Sequence, residues 1–67
     1  MNKNYFKIKE KKRENKEYRI ILCDLLLLIE HCIKYNICYC DFKNIYLDIE
    51  KAIDENNKII KDLESDN

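Results

Sequence analysis

Apolar residues crowd into residues 20–33, where Ile20, Ile21, Leu22, Cys23, Leu25, Leu26, Leu27, Leu28, Ile29, Cys32 and Ile33 leave only Asp24, Glu30 and His31 polar. Tyr18, Leu22, Leu25, Ile29, Cys32 and Asn36 recur at steps of four and three, so they line one face of a helix. Ile20, Ile21, Leu26, Leu27, Leu28 and Ile33 then fall on the flanks and back of that helix. A helix apolar nearly all round has to be covered nearly all round.

Residues 1–17 form a basic arm whose bulky apolar side chains are Tyr5, Phe6 and Ile8. Phe6 to Lys9 alternates as a short strand would, but residues 9–18 are good helix formers, so the arm is expected to be a largely helical extension from about residue 8, fraying at its tip. The central helix spans 18–36 and ends near Tyr35 and Asn36, because Asn tolerates the left-handed backbone that closes a helix when Gly is absent. Residues 37–40 are the connector. Asp41 is the expected N-cap of a second helix over 41–64, with Cys40 and Ile45 placed as a hydrophobic staple. In that helix Phe42, Ile45, Ile49, Ala52, Asn56, Ile59 and Leu63 form an apolar stripe widened by Tyr46, Ile53 and Ile60. Cys23 is expected in the core. Residues 65–67 read as a disordered tail.

This pattern predicts an all-α chain, an antiparallel two-helix hairpin. Its 67 residues make one small domain, and at this size folding hides only about 60% of the chain's surface. The absence of Gly and Pro removes the usual turn formers and helix breakers. One amphipathic helix covers only one side of the central helix, so a second copy is expected to complete a four-helix bundle as a homodimer, or a target protein to cover the rest. The interface candidates are Ile20, Leu22, Leu25, Leu26, Leu27, Leu28, Ile29 and Ile33. Asn56, within the stripe, is placed either to pair with its symmetry mate and fix register or to stand solvated near the bundle end.

The formal net charge is zero but unevenly placed: residues 1–19 hold eight Lys or Arg against three Glu, and residues 41–67 hold eight Asp or Glu against four Lys. A hairpin sets the basic start beside the acidic end. No secretory signal precedes the apolar run, and Asp24, Glu30, His31 and Lys34 interrupt any window near the ~20 residues of a membrane span. A cytoplasmic location with reduced cysteines follows, and no membrane partner is expected.

Catalytic chemistry finds little support. His31, Cys32, Cys38 and Cys40 lie close in sequence, but His31 and Cys32 diverge on a helix and no second Cys half-site completes a zinc set. The only Ser is Ser65, Thr is absent, and phosphate-cradling Gly loops are excluded. The chain is therefore read as a non-enzyme without cofactor or metal. The arm offers a different chemistry, since its Lys and Arg side chains interleaved with Tyr5, Phe6 and Tyr18 suit RNA phosphates and bases.

Two resemblances bear on function. Leu27, Leu28, Ile29 and Glu30, then Asp41 and Phe42 ahead of an amphipathic helix, resemble the hairpin of the small sporulation checkpoint inhibitors, which implies binding to a signalling kinase. Asp54, Glu55 and Asn56 stand where that family ends in basic residues. A very short, charged, all-helical chain without motifs, rich in the Ile, Lys, Asn and Tyr of AT-rich coding, also resembles the phage-encoded anti-CRISPR inhibitors as a class. That resemblance implies a protein-binding inhibitor of an RNA-guided nuclease, such as an RNA-targeting type VI effector, acting in the cytoplasm of the host cell. Target-binding candidates are Lys11, Lys12, Arg13 and Lys16 on the arm, and Asp48, Asp54, Glu55 and Asp62 on the second helix. RNA binding through the arm is the alternative.

Overall fold

The computed structural model describes residues 3–65. It contains two helices, α1 (Tyr5–Lys34, 30 residues) and α2 (Cys40–Ser65, 26 residues), packed on each other as the expected antiparallel hairpin. The backbone extends 53 × 14 × 11 Å, a rod rather than a ball.

Helix α1 starts earlier than the pattern suggested. Phe6 to Lys9 is helical, and the Asn4 carbonyl accepts the first bond, from the amide of Ile8, at 3.0 Å. Packing extends the helix through this segment: Ile8 and Asn15 are buried, so the arm is half of the fold. Of the stretch ahead of residue 8 expected to fray, Tyr5, Phe6 and Lys7 are helical, whereas Met1 and Asn2 lie outside the described residues, as do Asp66 and Asn67 of the expected tail. Ser65 remains helical, its Oγ donating to the Asp62 carbonyl at 3.1 Å.

Asn36 adopts φ 62°, and around it the amides of Asn36 and Ile37 donate to the carbonyls of Ile33 and Cys32 at 3.3 and 2.8 Å. This paired closure is a Schellman motif, which satisfies the last carbonyls of α1 and turns the chain. The other end of the connector differs from expectation. The first bond of α2 runs from the Lys43 amide to the Tyr39 carbonyl at 3.0 Å, so Tyr39 occupies the cap position and Asp41 lies within the first turn. Its carboxylate still faces the positive end of the helix dipole.

The helices meet along heptad seams. On α1 the seam is Ile8, Lys11, Asn15, Tyr18, Leu22, Leu25, Ile29 and Cys32, all buried or half-buried. On α2 it is Phe42, Tyr46, Ile49, Ile53, Asn56, Ile60 and Leu63. Tyr46, Ile53 and Ile60 are thus the centre of the α2 stripe, while Ile45 and Ile59 remain 46% and 37% exposed on its flank. A seven-residue repeat selects one of the two adjacent apolar rows, and the partner helix decides which.

Asn56 pairs within its own chain. Asn15, 2% exposed, and Asn56, 7% exposed, join through Asn56 Nδ2 donating to Asn15 Oδ1 at 3.0 Å, while Asn15 Nδ2 donates to Asn57 Oδ1 at 2.9 Å. A second Asn56 Nδ2 bond reaches Glu14 Oε1 at 3.1 Å. Among the described residues no buried side-chain polar atom lacks a partner. At the open end, Asn4 Nδ2 donates to the Leu63 carbonyl at 3.2 Å, tying the first turn of α1 to the last turn of α2.

Candidate protein-binding surfaces

The Asn15–Asn56 bond marks the register, and stepping seven residues up α1 and seven down α2 preserves it. The residues flanking the seam then divide between two sides of the hairpin, because in an antiparallel pair equivalent flanks face each other. Glu14, Ile21 and Leu28 share one side with Ile45, Ala52 and Ile59, and the Asn56–Glu14 hydrogen bond lies there. Lys12, Arg19, Leu26 and Ile33 share the other with Lys43, Glu50, Asn57 and Glu64. That second side carries the Lys12–Glu64 pair at 3.6 Å, the Asn15–Asn57 bond, and a shallow depression lined by Arg19, Leu22, Glu50, Ile53 and Asp54.

The eight interface candidates fall into two groups. Leu25 is buried, and Leu22 and Ile29 are half-buried, all in the seam with α2. Ile20, Leu26, Leu27, Leu28 and Ile33 are 44–58% exposed. Ile20 and Leu27 form the outward ridge of α1, Leu26 and Ile33 flank it on one side, and Leu28 joins Ile21 on the opposite side. Exposed apolar side chains scattered singly are ordinary, whereas contiguous ones mark interaction surfaces. Each half-exposed Leu or Ile leaves on the order of 1 kcal/mol of burial unrealised.

The charged candidates do not form one patch. Lys11 turns into the seam and its Nζ sits 3.4 Å from Glu14 Oε1, whereas Lys12 reaches Glu64 across the hairpin. Arg13 and Lys16 point outward; Arg13 lines a shallow surface groove with Phe6, Lys9 and Glu10. On α2, Asp48, Glu55 and Asp62 repeat every seven residues along one edge, and Asp54 lies on the opposite side, beside Arg19 and Glu50.

Comparison with protein-family models, with curated proteins and with solved structures finds no match.

The thiols are dispersed. Cys32 is buried in the seam, but Cys23 is exposed on the outside of α1 instead of in the core. Among the described residues no three His, Cys, Asp or Glu side chains converge as a metal site would require. Cys38 and Cys40 do meet, with their Sγ atoms 3.3 Å apart at the start of α2. The backbone amide of Cys40, and then its thiol, hold the Cys38 thiol below its ordinary value, and the same shared hydrogen bond pushes Cys40 up. Among the described residues no helix is long and apolar enough to cross a membrane.

Sequence reasoning missed Asn15, whose burial is announced only by the seven-residue step from Ile8 to Leu22. It also missed the Cys38–Cys40 contact, which depends on the turn geometry between two helices.

Proposed function

We propose that this chain is a small non-enzymatic inhibitor that works by binding a protein, and that its target is an RNA-guided nuclease, an RNA-targeting type VI effector being the most concrete case. The observation that supports this reading is the apolar surface of α1, which α2 leaves half-exposed at Ile20, Leu26, Leu27, Leu28 and Ile33. The depressions on its surface are shallow and open, whereas the two-helix rod offers long convex faces to a macromolecule. The class resemblance to anti-CRISPR inhibitors supplies the target class. The crest of the outward ridge, Ile20 and Leu27, is apolar, with Lys16, Glu17, Asp24 and Glu30 beside it, and a two-fold axis that sets the crest against itself buries these two side chains together. A homodimer through this ridge is part of the proposal.

A cleavage assay tests the nuclease reading. Titration of the purified chain into a guide-programmed type VI effector with a reporter RNA should abolish cleavage near equimolar protein. Undiminished cleavage at large molar excess would remove this reading.

The outward placement of Lys9, Lys12, Arg13, Lys16 and Arg19 on the arm favours a second reading, binding of RNA. In that case the chain retards RNA on a native gel with a strong salt dependence, and Arg13→Glu with Lys16→Glu, both outside the seam, flattens it. Absence of retardation at low salt removes this alternative.

A further inference from the structure

The hairpin has a side on which acidic residues flank an apolar strip drawn from both helices. Its centre is Ile21 and Leu28 of α1 and Ile45 and Ile59 of α2, which are 37–46% exposed, with Ala52 between them. Along its α1 edge run Glu10, Glu17 and Asp24, and along its α2 edge Asp41, Asp48, Glu55 and Asp62, all exposed. Within each row successive carboxylates stand two helical turns, roughly 10 Å, apart. Among the described residues, basic groups reach this side toward the open end, at Lys3, Lys7 and the Lys11 ammonium paired with Glu14, with His31 near the connector. Neither helix shows this face by itself; the antiparallel register assembles it.

We propose that this face docks a protein surface with an apolar centre and lysine or arginine along both edges. The proposal rests on the reading of the chain as a protein-binding inhibitor and names the chemistry of its target: a basic surface of the kind that otherwise holds nucleic-acid phosphates. Charge decides the occupant. A second copy placed two-fold on this face brings carboxylate rows together and is disfavoured, and a nucleic acid is repelled by the same rows. A partner with basic edges gains from both rows while covering the apolar strip.

The test is an NMR titration of the isotope-labelled full chain with a designed amphipathic helical peptide, leucine on one face and lysine on both flanks. The control peptide carries glutamate in place of lysine. Binding of the lysine peptide with shifts centred on Ile21, Leu28, Ile45 and Ile59 is expected. Asp48→Lys with Glu55→Lys should weaken it by about tenfold or more, the sum of two reversed surface pairs, whereas Asp54→Lys on the opposite side should leave Kd within about twofold. The proposal is overturned by equal binding of the glutamate peptide, by shifts confined to the Ile20–Leu27 ridge, or by self-association that perturbs the strip without peptide. The two readings fail separately. Nuclease inhibition that survives Asp48→Lys with Glu55→Lys removes this face and leaves the nuclease reading. A bound lysine peptide beside an uninhibited nuclease does the reverse.

Discussion

Along the rod, the half that holds the chain termini and the half that holds the connector share one seam but differ in what lies on it and around it. Toward the termini the seam contains Lys11, Asn15 and Asn56, and the outer surface is charged. Toward the connector the seam is Leu22, Leu25 and Ile29 against Phe42, Tyr46 and Ile49, and apolar residues also occupy the outside of α1. A purely apolar heptad seam tolerates a slip of seven residues, since one Leu or Ile replaces another. The asparagine pair does not, because any slip buries its amides against side chains that cannot bond them. The polar half thus locks the register, and the apolar half leaves surplus apolar surface exposed. Separating the two tasks lets α1 expose Leu27 without the hairpin losing its alignment.

Leu25 and Leu27 give the sharpest contrast, since they are the same residue two positions apart, one in the seam and one on the ridge. Leu25→Ala should destabilise the hairpin by about 2–5 kcal/mol, enough in a fold this small to abolish a cooperative thermal transition by circular dichroism. Asn56→Ala strands the buried Asn15 oxygen and should cost about 1–3 kcal/mol on the same readout. Replacing both asparagines by Leu should instead retain or raise stability while giving several sets of NMR resonances from slipped registers; a single sharp set would break the comparison. Lys12→Ala should change stability by no more than about 1 kcal/mol, because both partners of its pair with Glu64 are more than half exposed. Leu27→Ser should move stability least, within about 0.5 kcal/mol, yet abolish the proposed dimer, so that the variant has the monomer mass by light scattering where the unaltered chain has twice that.

A pH measurement probes the connector itself. The Cys38 thiol is held below its ordinary value by the Cys40 amide and thiol, so its reactive thiolate forms at lower pH than an unshifted cysteine's. Iodoacetamide should therefore label Cys38 before Cys40 as pH is raised toward 9. Cys40→Ala, which removes the side-chain donor, should move the onset for Cys38 upward by part of the shift, since the backbone amide remains.

Much of the fold was legible because it depends on local pattern. The apolar run centred on Leu25, the left-handed Asn36 and the absence of Gly and Pro suffice for two helices and one sharp connection. The capping residue was misplaced because Asp41 is a good cap in any context, whereas here the chain entering from Asn36 makes Tyr39 the turning point. From sequence the arm reads as a helical extension and not as part of the packed hairpin, because Lys and Glu surround Ile8 and Asn15, whose burial depends on Leu63 and Asn56 more than forty positions away. Cys23 was assigned to the core because hydrophobicity alone does not tell the inner face of an all-apolar helix from its outer one.

By itself the sequence determined that this chain is helical, where it turns, and that one helix carries more apolar surface than the other can cover. Those properties arise from backbone preferences and from periodicity within a few turns. Only the tertiary structure decided which of two adjacent apolar rows on α2 became the seam, that Asn15 answers Asn56, and that carboxylates from both helices border one face. Each of these depends on the relative register of two helices, a choice made by packing and hydrogen bonding between residues far apart in the chain.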